Sequence, residues 1–119
     1  MDLTASILAA TGTPVPPETR LEGIDLLPIL EGRASEVERT LFWRTNAYGQ
    51  SQRAIRSGDW KLVVDGLATM LFDVRADPGE RNDLANRRQD VANRLQPLLA
   101  AWERDVDSEA KQLAGGAPR

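Results

Sequence analysis

Cysteine and histidine are both absent from this chain of 119 residues. The first absence removes disulfides, thiol nucleophiles and thiolate metal ligands, and the second removes the commonest general base and the commonest transition-metal ligand. Long apolar runs are missing too. The longest is a few residues, far below the roughly 18 that a transmembrane helix needs, so a membrane is not an expected partner. Positive charge is not in excess: Lys and Arg total 15 against 18 Asp and Glu, a formal net charge of -3. The arginines therefore do not sum to a field that would hold a phosphate backbone, and nucleic acid is not an expected partner either. The opening residues MDLTASILAATG lack the basic leading segment of a signal peptide.

What is present is ordinary for one globular domain: 41% hydrophobic and 28% charged residues. In DLTASILAATG the apolar Leu3, Ile7, Leu8 and Ala10 recur near helical spacing, and Gly12 stands where a helix stops. TPVPPETRLEG, with three prolines, predicts an extended linker. IDLLPILEG predicts one or two helical turns, limited by Pro28 and ended by Gly32, and RASEVER reads as a polar loop.

From Arg39 the period changes to two. RTLFWRT places Leu41 and Trp43 on one face and Phe42 on the other. QRAIRSGDWKLVVDG predicts a hairpin turning at Ser57-Gly58-Asp59, and TMLFDV a fourth strand. Four short strands in sequence predict an antiparallel meander. From Arg88 to about Val106, the residues Val91, Leu95, Leu98, Leu99, Trp102 and Val106 form one helical stripe that can cover it, with a kink or restart expected at Pro97. The fold class is α+β: a small antiparallel sheet of about four strands packed against a long C-terminal helix, preceded by an N-terminal helix and a Pro-rich linker. The tail AGGAPR is expected to fray.

The most charged stretch, LFDVRADPGERNDLA from Leu71 to Ala85, carries Asp73, Asp77, Glu80 and Asp83 around a Pro-Gly pair. Counted as an EF-hand from Asp73, the third position is Arg75 and the sixth is Pro78, so the ligand ladder fails twice. Turn chemistry explains it better, with Pro78 setting one dihedral, Gly79 taking positive φ, Asn82 or Asp83 capping the following turn, and Leu84 packing beneath.

That stretch, preceded by RSGDWKLV and followed by LQPLLAAWE, resembles the C-terminal region of the sulfatase family, the formylglycine-dependent sulfuric ester hydrolases of the alkaline phosphatase-like superfamily. DLTASILAATGTPVP followed by LEGIDLLPILEG is similar to the last helix of the sulfatase catalytic domain and the segment leaving it. The resemblance covers about residues 2 to 103. It implies three segments: 1-38, a terminal helix and linker left from the catalytic domain; 39-106, the sulfatase C-terminal subdomain; and 107-119, a frayed tail. In the family a strand and loop precede the DLTASIL-like helix, so a chain beginning at Met1 begins within a domain, and an exposed apolar face is expected on that helix.

The resemblance also implies a chemistry that this chain does not carry. The family oxidises the Cys or Ser of C-x-P-x-R or S-x-P-x-R to formylglycine, which acts beside calcium or magnesium held by Asp and Asn or Gln, while His, Lys and Arg bind sulfate. None of those motifs occurs here, and no histidine exists to activate Ser6, Ser35, Ser51, Ser57 or Ser108. The chain is expected to be inactive alone, with no catalytic residue, metal ligand or cofactor of its own, and its expected partner is a sulfatase catalytic domain. Arg53, Arg56 and Lys61 are the candidates for a substrate-entrance rim, against a plainer reading as solvated or acid-paired strand residues. Trp43, Trp60 and Trp102 read as core rather than as a carbohydrate platform, and Arg39, Arg44, Arg53 and Arg56 as one solvated sheet face. A standalone α+β protein-interaction module is the alternative.

Overall fold

The computed structural model describes residues 1–17, 19, 21–47 and 50–115. They fall into two units, Met1–Val37 and Glu38–Arg119.

In the first unit, α1 (Asp2–Thr11) ends at Gly12, whose φ of 63° is a conformation that favours glycine. The Gly12 and Thr13 N–H groups close the helix end on Ala9 and Leu8 carbonyls. The helix does not bury its Leu3 and Ile7 stripe. It buries Ala5 and Ser6, while Leu3 and Ile7 are 74% and 60% exposed. The buried side is held by polar bonds to the residues after the Pro-rich stretch: Ile24 N–H donates to the Asp2 carboxylate and Leu26 N–H to the Ser6 hydroxyl. α2 (Leu27–Leu30) is a single turn. Pro28 sits within its first turn, where a missing N–H costs nothing, so it starts the helix rather than limiting it.

The second unit is a four-stranded antiparallel meander, β1 (Thr40–Ala47), β2 (Gln50–Ser57), β3 (Trp60–Asp65) and β4 (Ala68–Asp73), in that spatial order. Two-residue turns join β2 to β3 and β3 to β4, each opened by a glycine with positive φ, Gly58 and Gly66. The register aligns Phe42, Ile55, Leu62 and Leu71 in one row across all four strands. Because side chains alternate, that row faces one way, and α3 (Gln89–Gly115) covers it. Ile55, Leu62, Leu71 and Leu95 are fully buried and form the core with Val91, Ala92 and Leu99. Phe42 stacks on Trp102 with ring centroids 5.2 Å apart.

α3 runs nine residues past the apolar stripe that ends at Val106. Residues 108–112, SEAKQ, are mostly good helix formers, and Asp107 is tied to Arg44 on β1 at 2.7 Å, so the polar segment stays helical. Pro97 lies inside α3 on its exposed side, as does Asn93, whose carbonyl water can reach in place of the missing N–H. Of the tail expected to fray, residues 116–119 lie outside the described residues. No described helix is long and apolar enough to cross a membrane.

Between β4 and α3 the chain pairs with the outer edge of the sheet. Leu71 N–H donates to the Asp83 carboxylate at 3.0 Å and Leu84 N–H donates to the Leu71 carbonyl at 2.7 Å. An edge strand that would otherwise offer free backbone groups is thereby closed at its centre.

Candidate functional site

Alternation along β2 separates the three rim candidates. Arg53 lies opposite Arg44 on β1 and Val64 on β3, in the row two residues from Ile55, and so on the α3 side of the sheet. Its Nη1 reaches the Glu103 carboxylate of α3 at 3.3 Å, while its Nε is buried without a hydrogen-bond partner. Arg56 lies one residue beyond Ile55 and directly opposite Lys61, on the other face. Lys61 and Arg56 therefore share a surface, and Arg53 does not. The reading of Arg44, Arg53 and Arg56 as one solvated face is corrected by the same geometry: Arg44 and Arg53 point to α3 and bind its acids, and only Arg56 of the three lies opposite.

Lys61 is half-buried and bonded through Nζ to Glu80 at 2.6 Å. Glu80 carries a φ of 51°, so the left-handed position of the turn is Glu80 and not Gly79. The turn spends a non-glycine residue there and gains an acid aimed at β3. Arg56 is exposed; its Nε donates to the Gly58 carbonyl at 3.3 Å, and no described carboxylate pairs with it.

The tryptophans divide as well. Trp60 and Trp102 pack against the core, with the Arg88 guanidinium 4.8 Å above the Trp60 ring. Trp43 sits on the face opposite α3 and is 47% exposed, so it is not a core residue. The pattern Leu41, Phe42, Trp43 shows two faces but not which one the helix takes.

The acids of the Leu71–Ala85 stretch are committed to the backbone. Asp73 accepts from the N–H groups of Arg75 and Ala76, Asp77 from those of Arg81 and Asn82, and Asp83 from those of Leu71 and Ala85. The Asn82 N–H, with help from that of Arg81, holds the Asp77 carboxyl below the ordinary aspartate value, because both bonds favour the charged form. Arg88 likewise lowers Asp90 and is itself raised by it. Carboxylates engaged this way do not converge on an empty centre, and among the described residues no three His, Cys, Asp or Glu side chains come together. These carboxylates therefore do not form a donor set for a calcium or magnesium ion.

The fold and these surfaces define a helix-covered antiparallel meander whose charged groups brace turns and strands. No protein-family profile matches the sequence. Solved structures do match the fold. The protein i-CgsB, in complex with a neocarrahexaose, superposes with a TM-score of 0.71 at 21% identity, over 85% of this chain and 23% of its own. A 2-O GAG sulfatase gives 0.69 at 23% identity, over 93% and 26%. A protein from a Bacteroides thetaiotaomicron locus for the metabolism of multiple glycosaminoglycans gives 0.66 at 24% identity, over 87% and 24%. The chain thus spans about a quarter of the length of the structures it matches, and nearly all of it has the fold of that part of a sulfatase.

Proposed function

We propose that this chain is the C-terminal, non-catalytic portion of a sulfatase whose remaining residues hydrolyse a sulfate ester. One observation carries the reading: a match over 85–93% of this chain that occupies only 23–26% of the sulfatase-like structures. The chemistry supports it. Sulfuryl transfer needs an activated nucleophile, stabilisation of charge on the sulfuryl oxygens and an acid for the leaving group. This sequence offers neither thiol nor imidazole, and its clustered acids are bonded to backbone N–H groups. Formylglycine and the calcium or magnesium ion of the family would belong to residues outside this chain, and the sulfatase catalytic domain is its partner. Its role there is to close one side of that domain and contribute to the substrate entrance, with Arg56 and Lys61 as the entrance residues and Arg53 as a brace for α3.

The nucleotide sequence upstream of the Met1 codon tests this. An open frame encoding C-x-P-x-R or S-x-P-x-R is expected. A stop codon and ribosome-binding site directly before Met1 would favour the standalone interaction module instead.

A further inference from the structure

The chain treats the two edges of its sheet differently. At β4 the outward backbone groups of Leu71 are taken by Asp83 and Leu84. At β1 the register is unbroken from Thr40 to Ala47, with no proline and no bulge, and no described hydrogen bond from outside the sheet reaches its backbone. Which groups face outward follows from the turn at Gly58 and Asp59. A two-residue turn closes on a hydrogen-bonded pair, here Ser57 and Trp60, and bonded and non-bonded pairs alternate from it. β2 therefore bonds β3 through Ser57, Ile55 and Arg53, and bonds β1 through Arg56, Ala54 and Gln52. The β1 partners of those three are Leu41, Trp43 and Thr45, so Thr40, Phe42, Arg44 and Asn46 turn their N–H and C=O groups to the open edge. The same alternation sends Leu71 outward on β4, where its N–H and carbonyl are engaged.

We propose that the β1 edge pairs with the β1 edge of a second copy of this chain, antiparallel about a two-fold axis at Trp43. Long edges without proline or bulge are the ones that recruit another strand, and an isologous contact needs a self-complementary register. Outward groups can meet outward groups about a centre at Phe42, Trp43 or Arg44. The Phe42 centre overlaps only Thr40 to Arg44, and the Arg44 centre sets that cation directly opposite its own like, which weakens a sheet. The Trp43 centre overlaps Thr40 to Asn46 and places Arg44 opposite Phe42, a guanidinium beside a ring, while Asp107 still holds Arg44 from α3. Trp43 then meets its counterpart in a non-bonded pair, the kind in which side chains approach most closely. Its ring, 47% exposed in the single chain, is covered, and Leu41 lies opposite Thr45. The inference rests on the edge alone and holds whether or not the chain belongs to a sulfatase.

Sedimentation velocity of the whole chain, from about 10 μM to 1 mM, tests it. A reversible dimer is expected with a dissociation constant on the order of 100 μM, since one strand a side lies at the small end of specific interfaces. Trp43→Glu and Trp43→Lys each put like charges on the axis and should each weaken the dimer about tenfold or more, whereas their equimolar mixture should restore it. The native chain has no cysteine, so single cysteines report the register. Leu41→Cys mixed with Thr45→Cys should cross-link on mild oxidation, at a Cα separation of about 4.5 Å. Neither should cross-link with itself, being four residues, roughly 13 Å, out of register. Unchanged Trp60 and Trp102 indole signals in proton–nitrogen NMR verify that each variant is folded. The proposal is overturned by a monomer at every concentration, by a dimer indifferent to the charges, by no recovery on mixing, or by Leu41→Cys cross-linking with itself. It is equally overturned if the Phe42 and Arg44 amides gain exchange protection only when a separately produced sulfatase catalytic domain is added, because the edge then belongs to that domain.

Discussion

The Ser6 hydroxyl accepts the Leu26 N–H at 2.9 Å while donating to the Asp2 carbonyl at 2.8 Å, so one buried oxygen joins α1 to a segment twenty residues away. Two sequence motifs that look independent, DLTAS and LEGIDL, are in contact through it. Gly23 completes the junction: a Cβ there would overlap the Met1 carbonyl group.

Removing either part should loosen the first unit. Ser6→Ala leaves the Leu26 N–H without its acceptor and should cost about 1–3 kcal/mol, the usual penalty for an orphaned buried donor. Gly23→Ala forces backbone apart and should cost at least about as much as ordinary overpacking, roughly 1–3 kcal/mol. Amide hydrogen exchange reads both: Ile24 and Leu26 should lose protection while Ile55 and Leu62 keep theirs. Unchanged protection at Leu26 in Ser6→Ala would refute the role given to the hydroxyl.

Arg53 and Glu103 form a partly buried pair whose geometry leaves the Arg53 Nε unsatisfied. Breaking such a pair from one side costs more than replacing both partners with apolar residues. Glu103→Ala should therefore destabilise by roughly 1–2 kcal/mol, between the values for exposed and buried pairs, whereas Arg53→Met with Glu103→Leu should stay near the native stability. Urea unfolding of the three proteins decides it, and a double variant weaker than Glu103→Ala would contradict the assignment.

Asp77 gives an acid dependence of known sign. Its folded value is lowered by the Asn82 and Arg81 N–H groups. Its contribution is therefore complete above the unfolded aspartate value, near 4, and is lost as pH falls through the lower folded value. A carbon-13 titration should place the Asp77 carboxyl midpoint below the ordinary 3.8, with the Arg81 and Asn82 amide shifts following the same curve. In Asp77→Asn those amides should lose that transition. A midpoint at or above the ordinary value would contradict the bonding described.

The strands, their antiparallel order and the covering helix were legible because period-two alternation and the Val91, Leu95, Leu99 stripe are local signals. The site was less legible. Arg53 and Arg56 look equivalent in QRAIRSG, yet Ile55 between them enters the core, and three residues of strand suffice to send the first arginine toward α3 and the second away from it. Trp43 reads as core from its alternating position and is exposed instead, since its fate depends on which side a helix about fifty residues later packs. Positive φ at Glu80 is not legible in the sequence, because Gly79 beside it is the residue that ordinarily takes that conformation. The helical extension beyond Val106 carries no apolar stripe, and its anchor, Arg44 to Asp107, is a contact over sixty residues that periodicity does not report. The bonds of Asp2 and Ser6 were hidden for the same reason.

The most direct test of the account is hydrolysis of an aryl sulfate by the purified chain with calcium and magnesium supplied, alone and mixed with a separately produced sulfatase catalytic domain. The account predicts no turnover above the uncatalysed rate by the chain alone, and a gain in activity or thermal stability of the catalytic domain when the two are combined. Saturable turnover by these 119 residues alone would contradict it.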